Sequence, residues 1–72
     1  MSETPDSLTS SEIHRRLSIM ALKVRRLSER AAESLIAGEL EACDEFLQEC
    51  SNEVEAMVAF AKAHKHLLKR PE

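Results

Sequence analysis

Between Leu40 and Leu68, apolar or small residues recur at alternating steps of three and four. They are Leu40, Cys43, Leu47, Cys50, Val54, Met57 and Ala61, continued by His64 and Leu68. That spacing keeps one stripe of an α-helix facing one way for about four heptads. A stripe so regular has to be covered, and the first question is what the chain itself can offer.

An earlier segment offers a matching seam. Ile13, Leu17, Met20, Val24, Leu27 and Ala31 repeat at the same spacing, with Leu35 closing the series. Thr9 and Glu12 form a Thr-x-x-Glu capping box, with Leu8 and Ile13 at the flanking hydrophobic-staple positions, which sets the start of the first helix. Gly38, the only glycine, suits the left-handed residue that ends it. The second helix opens with Glu39, Glu41, Asp44 and Glu45 and finishes with Lys65, Lys69 and Arg70 ahead of Pro71, which matches the helix dipole at both ends. The expected architecture is all-α: a polar, flexible tail over 1–8, helix over 9–37, a turn at 38–39 and helix over 40–70. Two long helices joined by so short a turn lie antiparallel, as a coiled-coil-like hairpin. Folding the seams about Gly38 sets Leu27 near Cys50, Val24 near Val54, Met20 near Met57 and Leu17 near Ala61.

A chain of 72 residues that forms only two helices leaves much of each helix wet. Completion by a partner or by dimerisation is therefore expected. The two Cys, seven residues apart on one helix, lie about 10 Å from each other, too far for a mutual disulfide, and read as packing residues. The start, Met1-Ser2-Glu3-Thr4-Pro5-Asp6, is too acidic for a secretory signal, and no apolar run is long enough to span a bilayer. A cytoplasmic bacterial protein is expected.

Once the seam is assigned, other apolar residues point elsewhere. Ile19 and Leu22 lie roughly opposite it on the first helix. Ala56, Phe60, Ala63 and Leu67 form a small-large alternation on the flank of the second. These six are the candidate partner-binding residues, because a stripe of that kind lets another helix approach closely. Residues 10–36 carry six Lys/Arg against three Asp/Glu, and residues 39–55 carry seven acids and no base. The basic set (Arg15, Arg16, Lys23, Arg25, Arg26, Arg30) lacks interleaved aromatic residues, so pairing within the hairpin is favoured over nucleic-acid binding. Glu41, Glu45, Glu49 and Glu53 form a ladder that reads as a solvated face or a contact for a basic partner. His14, His64 and His66 show no ligand spacing, and no metal or cofactor is expected. The chain has no Gly-rich loop, no nucleophile with an adjacent base and no concavity of its own, so it is expected to be non-enzymatic.

From Ala37-Gly38 to Ala61 the sequence resembles the YscE family, the small two-helix co-chaperones of the type III secretion needle subunit. The likeness lies in the turn glycine, Phe46-Leu47-Gln48 eight residues beyond it, and Val54-Glu55 followed by Ala56-Met57-Val58-Ala59-Phe60. The resemblance implies a virulence-associated cytoplasmic protein that pairs with a larger helical-repeat chaperone and keeps the needle subunit monomeric. The basic first helix, the end at 62–72 and the two seam Cys depart from that pattern. Two other classes compete: a homodimeric four-helix bundle similar to Rop, binding RNA through the first helix, and a small accessory subunit of a nuclease, suggested by the Gly38-Glu39-Leu40 turn.

Overall fold

The computed structural model describes residues 9–68. The tail expected over 1–8 and the basic end at Lys69 and Arg70 lie outside the described residues. Three helices follow one another: α1 (Ser10–Ile36), α2 (Leu40–Ala63) and the single turn α3 (Lys65–Leu68). α1 and α2 pack side by side as an antiparallel hairpin.

Each end of α1 is fixed by local chemistry. The Thr9 hydroxyl oxygen accepts the Glu12 N–H at 3.1 Å, and the Glu12 carboxylate accepts the Thr9 N–H at 3.1 Å. This reciprocal box satisfies donors that an α-helix leaves open at its start. At the other end Gly38 has φ +80°. Its N–H donates to the Leu35 carbonyl at 3.1 Å, and the Glu39 N–H donates to the Ser34 carbonyl at 2.8 Å. Those two bonds are the paired closure of a Schellman motif, which needs a left-handed residue at this point. α2 then starts on the Glu39 carbonyl, which accepts the Cys43 N–H at 3.0 Å, without a side-chain cap.

Along α1, Ile13 is completely buried and Leu27 and Ala31 nearly so, while Leu17, Met20 and Val24 are half-buried. Leu35 breaks the expected series. It is 58 % exposed, and Ser34 takes the buried place beside the turn. On α2 the seam runs through Cys43, Phe46, Cys50, Glu53, Met57, Phe60 and His64. Leu40, Leu47 and Val54, expected in the core, are 65, 50 and 41 % exposed. Relative to the stripe read from the sequence, the buried face of α2 is rotated by roughly 50° toward its two Phe side chains, half a residue step on a helical wheel. Cys43, Cys50, Met57 and His64 belong to both stripes, and Ala61 of the expected stripe is half-buried as well. The choice falls to the flanks, where burying Phe46 and Phe60 removes more apolar surface from water than burying Leu47 and Val54.

The pairing across the seam follows from three contacts. Ser10 Oγ donates to the Leu67 carbonyl at 3.4 Å, Lys23 meets Glu53 at 3.6 Å, and Cys50 Sγ lies 3.8 Å from the Val24 carbonyl oxygen. The first two keep the register expected from folding about Gly38, while the Cys50 thiol reaches the Val24 carbonyl, about one turn along α1 from the expected Leu27.

The second helix is not continuous over 40–70. It is interrupted at His64, whose backbone (φ −120°, ψ 22°) leaves the helical region. The His64 Nδ1–H donates to the Phe60 carbonyl at 2.9 Å, and the two rings sit 4.5 Å apart. The same Phe60 carbonyl still accepts the His64 backbone N–H at 3.2 Å, so the ring shares that acceptor with the helical ladder. The chain resumes as α3 when the Leu67 N–H reaches the His64 carbonyl at 2.9 Å.

Candidate protein-binding surfaces

A hairpin of two helices is one layer thick, and the shortest extent of the Cα trace is 15 Å. Both broad faces are therefore open unless their own side chains close them, and the two faces differ in chemistry.

On one face, which carries the Lys23–Glu53 contact, basic residues of α1 run beside acidic residues of α2. Arg16, Lys23 and Arg30 project from α1; Glu45, Glu49 and Glu53 project from α2. Lys23 reaches Glu53, whose side chain is 19 % exposed. The acidic ladder thus climbs from solvent toward the seam, and its last member is the one engaged across the hairpin. With Lys23 61 % exposed, the pair contributes between nothing and about 1 kcal/mol. At the open end of the same face, Arg16, Ile19, Met20 and Phe60 line a shallow groove.

The six candidate partner-binding residues do not form one stripe. Ile19, 62 % exposed, and Phe60, half-buried, meet in the groove. Ala56 and Ala63 are exposed one turn to either side of Phe60. Leu22, 46 % exposed, projects from the back of α1, away from the groove. Leu67 is half-buried next to Ser10, whose hydroxyl is bonded to its carbonyl. Arg16, from the basic set, and Met20, from the expected seam, complete the groove.

The opposite face, which carries the Cys50–Val24 contact, is built differently. Leu35, Leu40, Leu47, Val54 and Val58 are all exposed there, at 41–65 %. Between them the surface is floored by half-buried Leu17, Val24, Cys50 and Ala61 and by exposed Ala21 and Ser28. From Leu17 to Leu35 and from Leu40 to Ala61, no charged residue falls within roughly 110° of the seam on this side. Arg25, bonded to Glu29 at 3.3 Å, marks its outer edge. The signal was present in the sequence as an absence of charge at particular wheel positions, hidden because the same leucines and valines read as core.

Cys43 is buried and Cys50 partly so, both as free thiols. Among the described residues no group of His, Cys, Asp and Glu could hold a metal ion, and no helix is long and apolar enough to cross a membrane. No protein-family model, curated protein or solved structure matches the chain.

Proposed function

We propose that this chain is a non-enzymatic helical binding module of the bacterial cytoplasm that presents the Arg16–Ile19–Phe60 groove to a helix of a larger protein partner. The observation that carries the reading is the groove itself. Ile19 stands exposed beside a half-buried aromatic ring, with Ala56 and Ala63 leaving room for a close helix backbone. An amphipathic helix laid in such a groove buries its apolar face against anchors spaced along the hairpin. Taken with the resemblance of residues 37–61 to the YscE family, the finer form of the proposal is a type III secretion co-chaperone. It would join a larger helical-repeat chaperone in holding the needle subunit monomeric before export.

The test is co-purification with a needle subunit and its helical-repeat chaperone expressed from the same genome. A stable complex of defined stoichiometry is expected. Ile19→Asp should weaken it by at least about 10-fold while leaving helical circular dichroism unchanged, because the side chain lies outside the hairpin core. Phe60→Asp and Leu67→Asp are poorer probes, since both side chains are half-buried in the hairpin and their loss would disturb the fold as well. No complex, or a complex indifferent to Ile19→Asp, would overturn the proposal.

A second reading, RNA binding through α1, draws on one observation. Of the six basic residues of α1, Lys23 and Arg25 are engaged within the chain, which leaves Arg15, Arg16, Arg26 and Arg30 for phosphate contacts. It requires binding that falls steeply with salt and is lost on charge reversal at Arg15, Arg26 and Arg30.

A further inference from the structure

The uncharged face opposite the groove takes no part in the function proposed above, yet it holds most of the exposed large apolar side chains. We propose that a second copy of this chain covers it, two hairpins stacking face to face into a four-helix bundle.

Three observations select that occupant. First, the charge pattern is self-compatible. A two-fold interface sets a patch against its own copy, so any charge within it meets like charge or a copy of its surroundings. This face carries no charge over its length, whereas the groove face, stacked on itself, would bury Lys23, Glu53 and their neighbours.

Second, the size is sufficient. Leu17 to Leu35 spans about 28 Å at the helical rise. Two helices with axes 8–10 Å apart present a width of about 18 Å, hence about 500 Å² per copy and about 1,000 Å² for the pair before side-chain relief is counted. That meets the floor of about 1,000 Å² for a biological interface, and the projecting side chains add to it.

Third, the relief repeats with the heptad on both helices. Leu40, Leu47 and Val54 project at seven-residue steps from α2; on α1 the positions at the same step are Ala21, Ser28 and Leu35, with small side chains at the first two. Large projections on one helix and shallow positions on its neighbour are what interdigitation of two copies requires.

The experiment uses the purified full chain with no partner present, so its outcome is separate from that of the groove. Sedimentation equilibrium should give twice the 8.1 kDa chain mass at micromolar concentration. Leu47→Asp with Val54→Asp should weaken dimerisation by at least about 100-fold, and Ile19→Asp should leave it unchanged. Should the double variant lose its helices along with its dimer, the wild-type chain still decides the matter. In a mixture of isotope-labelled and unlabelled copies, intermolecular nuclear Overhauser effects are expected from the Leu47 and Val54 methyl groups. A monomer at 200 µM, a dimer that survives Leu47→Asp/Val54→Asp, or intermolecular contacts from Ile19 and Phe60 in place of Leu47 and Val54 would each overturn the proposal.

Discussion

At the scale of single residues, two positions fix where the first helix begins and ends. Thr9 both donates its N–H to Glu12 and accepts the Glu12 N–H in return. Thr9→Ala removes the accepting oxygen and should cost about 1 kcal/mol in denaturant-induced unfolding. Gly38 is the only described residue with positive φ. A Cβ built there would meet nothing within 4 Å, so the penalty for Gly38→Ala comes from the left-handed backbone alone and should be about 1 kcal/mol. A cost near zero would mean that the Schellman closure at Ser34 and Leu35 does not set the turn. Both features were legible in the sequence because each is local: a Thr-x-x-Glu spacing and a lone glycine between two amphipathic runs. Ser34 was not. Its burial depends on where the turn brings α2, and nothing in its own neighbourhood marks it.

At the scale of elements, the facing of α2 separates what periodicity can decide from what it cannot. The three-four spacing identified a helix and put Cys43, Cys50 and Met57 toward α1, because those positions lie in the overlap of two possible stripes. It could not choose between Leu40, Leu47 and Val54 on one flank and Phe46, Glu53 and Phe60 on the other. That choice is made by contact with α1, through the larger surface of the Phe rings and the register set by the turn. The consequence is measurable. At a concentration too low for dimerisation, Phe46→Ala should destabilise the hairpin by about 2 kcal/mol, less than a fully buried Phe because its ring is half-exposed, whereas Leu40→Ala, beside the turn at 65 % exposure, should cost under about 1 kcal/mol. Equal costs would restore the stripe centred on Leu40, Leu47 and Val54. The break at His64 escaped the sequence for a related reason. No Pro or Gly marks it, and what accompanies it is a side-chain contact, the His64 ring on the Phe60 carbonyl.

At the scale of the molecule, the decisive quantity is how little the hairpin buries. Among the described residues the buried apolar ones are Ile13, Leu27, Ala31 and Cys43, on helices that form one layer. Domains are stable when two layers enclose a core, and a single antiparallel pair encloses only its seam. The two broad faces answer this differently: one is lined by cross-helix charge with a small groove at its open end, the other by exposed leucine and valine without charge. The first suits a partner helix and the second a copy of the chain. If covering the second face supplies the missing layer, stability depends on association and therefore on concentration.

The most direct test is thermal unfolding of the purified chain, followed by helical circular dichroism, as its concentration is raised from 1 to 200 µM. A hairpin completed by its own copy should melt at a midpoint that climbs steadily with concentration, and Leu47→Asp with Val54→Asp should abolish that climb. A midpoint that stays constant across the whole range would contradict the account, since it would mean that the single layer is stable with its uncharged face bare.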